Sequence, residues 1–137
     1  MKQIPRRRSL ATALILLVFG FGVAASSVDG LPRAQAQRDQ IAAGQQVFQR
    51  ICATCHGDLG EGGEGPPIIG PDQFLFSYRN GRRLFEYIQS EMPGDNPGAL
   101  STQEYFDVIA YLLAQNGWNQ EGLPVDGATL DRISLLD

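Results

Sequence analysis

Residues 52–56, with the sequence CATCH, constrain this chain of 137 residues more than any other stretch, because they contain both cysteines and the only histidine. Thiol and imidazole are the side chains that most readily bind soft metals or act as nucleophiles. Around them, apolar and small residues recur every three or four positions, which is typical of one face of a helix. These positions are Ile41, Gly44, Phe48, Ile51, Cys52 and Cys55. The two thiols and the imidazole are therefore expected to point to the same side.

Residues 1–36 have the pattern of a segment that directs a chain across a membrane. A basic cluster precedes a long apolar run, and small residues follow it. Cleavage after Ala25 or after Ala36 fits this pattern equally well. Residues 9–28 carry no charge over 20 positions, or about 30 Å of helix, so the segment also fits a retained membrane anchor. Both interpretations predict a domain at 37–137 that folds in the periplasm or another extracytoplasmic compartment.

The two thiols of the CATCH segment have several chemical uses. Outside the cytoplasm, a disulfide between Cys52 and Cys55 is one interpretation. A thioredoxin-like dithiol would need a preceding strand, for which there is no pattern, and structural zinc would need a fourth ligand. Cys-x-x-Cys-His also has a use that occupies all three side chains: the thiols add to the vinyl groups of a haem, and His56 ligates its iron. We therefore predict one covalently bound haem c per chain, attached through Cys52 and Cys55.

Met92 is the candidate for the second axial position of that iron. Residues 37–137 contain no other methionine, no lysine and no histidine besides His56. Pro93 disfavours helical geometry at the residue before it, so Met92 is expected in an extended segment. A lone methionine is otherwise a flexible core residue, but a thioether beside a haem motif is a soft ligand that favours ferrous iron. With both axial positions filled, the iron has no open site for substrate, so the pattern favours electron transfer and does not predict an enzyme.

The rest of the chain also has helical patterns. Residues 101–104, STQE, form a capping box that precedes an apolar helical stripe, and Asn116 with the next glycine ends it. Asn80 and Gly81 open another helical stretch. Residues 60–71 are too rich in glycine and proline for a regular element, and no stretch alternates convincingly as a strand. We therefore predict an all-α fold.

Residues 41–118 resemble class I cytochromes c of the small bacterial kind, which occur as soluble electron carriers and as haem domains of quinoprotein dehydrogenases. Four segments carry the resemblance: AGQQVFQRICATCHG, GPPIIG, RLFEYIQSEMP and DVIAYLLAQNG. It implies the cytochrome c fold, with three or more helices around one covalently bound haem. In that fold Gly44 and Phe48 would face the last helix, with Val108 and Tyr111 as their partners.

The resemblance also implies roles for side chains around the cofactor. Pro66 would accept the ring proton of His56, Ile68 would pack on the porphyrin, and Tyr87 would donate a hydrogen bond toward the sulfur of Met92. Two residues of the preceding helix, Leu84 and Ile88, would contact the haem. The predicted cofactor-binding residues are thus Cys52, Cys55, Pro66, Ile68, Leu84, Tyr87 and Ile88, and the predicted iron ligands are His56 and Met92.

Charge bears on the expected partners. Five of the 11 basic residues and one of the 15 acidic residues lie in 1–36, which leaves a net charge of −8 on 37–137. This differs from cytochromes c that dock through a ring of lysines. No basic stripe alternates with aromatic residues, so nucleic acid is not an expected partner. The expected partners are a redox donor and acceptor, such as a dehydrogenase or a membrane oxidase or reductase.

Three classes of function are compatible with these patterns. The favoured one is a one-electron carrier between extracytoplasmic redox proteins. The alternatives are a five-coordinate haem enzyme or gas sensor, in which Met92 only packs nearby, and a non-haem dithiol or metal module. Residues 119–137 carry no motif; Leu123, Leu130 and Ile133 of this tail are expected to pack on the body.

Overall fold

The computed structural model describes residues 30–119 and 121–136. Its regular elements are helices, and within these residues an isolated bridge between Asn80 and Ser134 is the only strand-like pairing. The α-helices are α1 (Gly30–Val47), α2 (Ala53–His56), α3 (Gly81–Glu91) and α4 (Thr102–Gln115). Short 3₁₀ turns occur at Leu75–Tyr78 and Leu130–Arg132. The prediction of an all-α fold is confirmed.

The predicted signal peptide or anchor falls mostly on residues 1–29, outside the described residues. The boundary expected at residue 36 lies inside α1. None of the helices in the described part of the chain has the length and apolar content that crossing a membrane requires.

Helix α1 enters the CATCH segment through a π-helical turn at Phe48–Cys52, and α2 follows directly. The main-chain N–H of Ala53 donates to the oxygen of Phe48, five residues earlier. The expectation of one regular helical face through this segment is wrong at this turn, which holds one residue more than an α-helical turn. The extra residue changes the direction of the side chains that follow, relative to the face of α1 that contains Gly44.

Helices α1 and α4 pack closely because Gly44 has no side chain. A Cβ at this position would overlap the main-chain oxygen of Asp107 and would lie 2.9 Å from Cβ of Tyr111. One turn later, the ring of Phe48 lies 5.2 Å from the ring of Tyr111, measured between centroids. The predicted contacts of Gly44 and Phe48 with the last helix are confirmed, and Val108 on the same helix is buried.

Local capping signals set the starts of α3 and α4. Oδ1 of Asn80 accepts a 3.0 Å hydrogen bond from the N–H of Arg83. The hydroxyl of Ser101 accepts from the N–H of Glu104, whose carboxylate accepts from the N–H of Ser101 at 2.9 Å, so the predicted capping box is present. The apolar stripe behind it is buried in the core: Tyr105, Val108, Ile109, Leu112 and Leu113.

The tail packs against the helices. Leu130 and Ile133 are buried, and Leu123 is partly buried against the same core, as expected from the sequence. The side-chain amide of Gln40 in α1 donates to the oxygen of Val125 at 2.8 Å and accepts from its N–H at 3.0 Å. The tail is thereby attached to the first helix by a pair of hydrogen bonds.

Candidate functional site

A cavity of about 510 Å³ lies beside the CATCH segment. This volume is in the range of roughly 300–1,000 Å³ that is common for small-molecule and cofactor sites. Its walls come from the π turn with α2, the following loop, the end of α3 with the residues after it, and α4. Its apolar lining includes Ile51, Ile68, Ile88, Leu100, Val108 and Leu112. A second cleft of about 500 Å³, lined by Phe76 and Trp118 among others, contains none of the predicted site residues.

Most of the predicted site residues meet at the first cavity. Those on its wall are Cys52, Cys55, His56, Ile68, Ile88 and Met92. Pro66 is not on the wall but contacts His56 directly. Leu84 is fully buried in the core and Tyr87 packs against Tyr78, with ring centroids 4.9 Å apart; neither lines the cavity. Their predicted contacts with the cofactor and with the sulfur of Met92 stay predictions.

His56 is buried, and one of its ring nitrogens has a defined partner. Nδ1 lies 2.7 Å from the main-chain oxygen of Pro66. A carbonyl oxygen can only accept, so Nδ1 carries the proton and donates it. In a neutral imidazole the lone pair is then on Nε2, the atom that a metal would bind. This is the hydrogen bond that the resemblance implies for Pro66.

Gly65 packs directly against the imidazole ring of His56. A Cβ on Gly65 would lie 2.8 Å from Cε1 and 2.9 Å from Nδ1 of His56. The loop returns to this point because Gly57 ends α2 with φ of 84°, a conformation that favours glycine. The N–H of Gly65 then donates to the oxygen of Cys55 at 2.8 Å. Sequence reasoning did not identify Gly65, since a glycine in a glycine-rich loop gives no sign of which ring it will touch.

The two thiols differ in their surroundings. Cys52 is half-buried, Cys55 is exposed, and no disulfide joins them. Burial, followed by the neighbouring Cys55, raises the pKa of the Cys52 thiol to about 11. Among the described residues no group of three or more His, Cys, Asp and Glu side chains is placed to hold a metal ion, so the fourth ligand that structural zinc needs is not found there.

Met92 lies at the end of α3 in extended conformation, with φ of −125° and ψ of 147°, as the following Pro93 predicts. It is half-buried and lines the cavity. Its main-chain oxygen accepts a 2.9 Å hydrogen bond from the hydroxyl of Tyr105. Sequence reasoning placed Tyr105 only in the apolar stripe of α4. A buried tyrosine hydroxyl usually finds a partner, but the sequence does not name it.

An ion pair stands at the rim of the cavity. Arg50 in the π turn lies 2.6 Å from Glu104 in the first turn of α4. The pKa of Glu104 is lowered, first by the hydrogen bond from the N–H of Ser101 and to a smaller extent by Arg50. Because 54% of the Arg50 side chain and 36% of the Glu104 side chain are exposed, solvent screens this pair and its contribution to stability is small.

The cavity fits a covalently held haem. Two thiols stand on one wall, the imidazole has its Nε2 lone pair available, a thioether lies on the same cavity, and the remaining lining is mostly apolar. This combination of soft and imidazole donors suits iron in haem and does not resemble the oxygen-rich sets that bind hard cations.

Comparison with known proteins gives the same interpretation. The model of the family described as "Cytochrome C oxidase, cbb3-type, subunit III" matches residues 39–112. The chain is 36% identical over 90 residues to thiosulfate dehydrogenase of Stutzerimonas stutzeri strain A1501, covering 60% of this chain and 29% of that protein. It is 35% identical over 104 residues to thiosulfate dehydrogenase of Thiomonas intermedia strain K12, covering 68% of this chain and 32% of that protein.

Two further proteins that resemble the chain are a cytochrome c subunit and a dehydrogenase. The cytochrome bc1 complex cytochrome c subunit of Corynebacterium efficiens is 29% identical over 142 residues, covering 88% of this chain and 47% of that protein. The structure of the sulfane dehydrogenase SoxCD from Paracoccus pantotrophus superposes with a TM-score of 0.56 at 25% identity, covering 69% of this chain and 52% of that chain. The chain thus spans between about a third and a half of the length of these relatives.

The matched family segment begins shortly before the π turn and ends in α4. It contains the CATCH segment, the loop with Pro66 and Ile68, helix α3 and Met92. This match extends over more than half of the chain, so the protein belongs to the family described as "Cytochrome C oxidase, cbb3-type, subunit III". It is an all-α class I cytochrome c with covalently bound haem c.

Proposed function

We propose that this chain is a one-electron carrier whose haem c is attached through Cys52 and Cys55 and is ligated axially by His56 and Met92. The observation that carries the proposal is the meeting of these four side chains on the wall of one largely apolar cavity. When bound, the haem supplies the one-electron ferric and ferrous couple of its iron.

The protein groups around the iron each contribute to this role. Donation from Nδ1 of His56 to Pro66 fixes the ring and makes Nε2 more basic. The thioether of Met92 favours ferrous iron, and apolar side chains such as Ile68 and Leu112 exclude water from the cavity. Because the chain would fill both axial positions, it leaves no iron site for a substrate. This is why we assign electron transfer and not catalysis to the domain.

We further propose that the domain at 37–137 works outside the cytoplasm, with residues 1–36 as signal peptide or membrane anchor. The pattern of residues 1–36 and the covalent use of both cysteines support this compartment. The names of the relatives support a dehydrogenase or a membrane respiratory complex as redox partner.

Met92→Ala tests the axial ligation. A haem iron with a methionine ligand is expected to show a weak methionine-to-iron charge-transfer band in the far red when oxidised. In Met92→Ala we expect this band to disappear, the reduction potential to fall, and added cyanide to bind quickly, because the soft ligand is lost. Leu100→Ala is the matched control, since it removes apolar volume from the same wall without removing a thioether. If Met92→Ala leaves the band and the potential unchanged, Met92 is a packing residue. A wild-type protein that lacks the band and binds cyanide at once would indicate the five-coordinate enzyme or sensor.

Covalent attachment is tested separately. Acid-acetone extraction should leave the pigment on the wild-type protein, and the double substitution of Cys52 and Cys55 by alanine should release it. Each single substitution should leave one thioether, so the pigment should stay bound. Pigment that is extracted freely from the wild type would contradict the attachment through both cysteines.

A further inference from the structure

The side chain of Asn116 joins the end of α4 to the loop that follows the CATCH segment. Its Oδ1 accepts a 3.1 Å hydrogen bond from the N–H of Gly70. Its Nδ2 donates to the main-chain oxygens of Ile68, at 3.0 Å, and Leu112, at 2.9 Å. Both the donor and the acceptor end of this half-buried amide are thus used, so its orientation is fixed.

These contacts exceed what the end of a helix needs. The main-chain N–H of Asn116 already donates to the oxygen of Leu112 at 3.1 Å, so this carbonyl is satisfied without the side chain. Gly70 and Ile68 are 46 and 48 residues away in sequence. They belong to the same short loop as Pro66, whose oxygen accepts from His56. Asn116 therefore connects α4 to the loop that orients the imidazole.

Hydrogen bonds from two directions hold the main chain of the loop at Ile68. Pro66 and Pro67 have no N–H to donate, and the oxygen of Pro66 is used by His56. On one side, the N–H groups of Ile68 and Ile69 donate to the oxygen of Gly60 at 2.8 and 3.0 Å. On the other side lies Asn116. The main chain at Ile68 is thus held between Gly60 and Asn116, two residues from the carbonyl that contacts the histidine.

We propose that Asn116 is a positioning residue for the axial histidine: by holding the loop at Ile68 and Gly70, it sets the strength of the hydrogen bond from His56 to Pro66 and thereby the reduction potential. The inference rests on the proposed ligation of iron by His56. A ligand imidazole becomes more basic when its other nitrogen donates a strong hydrogen bond. Release of the loop should weaken this bond, make His56 a weaker donor to iron, and raise the potential.

The first test compares Asn116→Ala with Gln115→Ala. Gln115 is an exposed amide on the same helix, and its side chain makes no hydrogen bond or ion pair within the described part of the chain. We expect amide exchange of Gly70 to accelerate about fivefold in Asn116→Ala, as the loss of a hydrogen bond predicts. We also expect the equilibrium constant for reduction to rise between about two- and tenfold. This is below the roughly 10–100-fold loss of metal affinity or activity that follows removal of a direct hydrogen-bond partner of a ligand. Gln115→Ala should change neither.

The proton resonances of the His56 ring in the oxidised protein are a third readout. These resonances report the orientation of the ring and its bond to iron. A change in the stability of the fold alone does not shift them. We expect them to shift in Asn116→Ala and to stay in place in Gln115→Ala. If Gly70 exchanges faster while the potential and the His56 resonances are unchanged, Asn116 only stabilises the fold and the proposal is wrong.

A second pair of variants decides the matter even if Asn116→Ala fails to fold. Asn116→Asp keeps an acceptor for Gly70 but loses the donor to Ile68, and Gln115→Asp adds the same charge one residue away. We expect a higher potential and shifted His56 resonances in Asn116→Asp relative to Gln115→Asp. Equal values in the two variants would overturn the proposal. Failure of the proposed function is recognised beforehand, because the wild type would then lack the spectrum of a haem with two protein ligands.

Discussion

The hydroxyl of Tyr105 in α4 donates a hydrogen bond of 2.9 Å to the main-chain oxygen of Met92, the residue that directly follows α3. Tyr105 is almost completely buried, with 1% of its surface exposed, so its hydroxyl does not exchange this partner for bulk water. The bond therefore fixes the main chain from which the thioether extends into the cavity.

Tyr105→Phe should loosen Met92. Loss of this hydrogen bond is expected to cost about 1 kcal/mol of unfolding free energy. Because the lost hydrogen bond restrains Met92, the segment that contains Met92 should open more often. Cyanide should then bind the oxidised protein about fivefold faster, since a factor of five corresponds to about 1 kcal/mol. Tyr111→Phe is the matched control, because Tyr111 is also buried in α4 and its hydroxyl has no hydrogen bond to the described residues. Equal cyanide kinetics in both variants would show that Tyr105 does not restrain Met92.

Gly65→Ala should displace the ring of His56. The new Cβ would lie 2.8 Å from Cε1, a separation that forces the ring or the loop to move. We expect shifted His56 resonances and a changed reduction potential, with the loss of stability of about 1–3 kcal/mol that overpacking causes. Gly94→Ala is the control: Gly94 lines the cavity, and a Cβ there would meet nothing within 4 Å. If the His56 resonances of Gly65→Ala are those of the wild type, the close packing of Gly65 against the imidazole is contradicted.

Gly44→Ala should separate α1 from α4. Its Cβ would overlap the main-chain oxygen of Asp107, and a helix backbone cannot move away as a side chain can. We expect a loss of unfolding free energy of about 3 kcal/mol, at the upper end of overpacking effects, measured from urea transitions of the haem-bound protein. Gly127→Ala should be nearly neutral, because a Cβ at that position would lie in open space. Similar transitions for the two variants would mean that the helices adjust without cost.

The capping box makes stability depend on acid pH. Because hydrogen bonds from Ser101 lower the pKa of Glu104 from its ordinary value of 4.5, the folded state binds this proton less readily than the unfolded state. The contribution of the charged carboxylate is therefore fully present above about pH 4.5 and is lost as pH falls through the lower folded-state pKa. Glu104→Gln should be less stable than the wild type near neutral pH, and this difference should shrink below pH 4.5. Urea midpoints between pH 3 and 7 would measure it; a difference that does not vary with pH would exclude the carboxylate as its cause.

The sequence predicted the parts of the fold that local signals encode. Asn80 begins α3 and Ser101 begins α4 because a side-chain oxygen next to free N–H groups acts within one turn of the chain. The π turn at Phe48–Cys52 was not predicted, since apolar residues three or four positions apart are compatible with a helix that contains one extra residue. Its presence depends on how α1 packs against α4, which the spacing of residues does not contain.

The candidate site divides in the same way. Cys52, Cys55 and His56 are adjacent in sequence, so their meeting follows from one short segment. Tyr105 and Asn116 were recognised only as parts of the last helix. Their partners lie 13 residues away for Tyr105 and up to 48 residues away for Asn116, and only the packed structure brings them together.

The attachment of the tail has a consequence for the order in which this protein can fold. Gln40 and Val125 are 85 residues apart, and the N–H of Leu135 donates to the oxygen of Arg79 at 3.0 Å. Contacts of such long range require large loops to close, which slows folding relative to a bundle held by neighbouring helices. The CATCH segment lies between Gln40 and Val125 in sequence. Until the tail has packed, the core is incomplete, and the half-buried thiol of Cys52 is then more accessible for modification than in the folded chain.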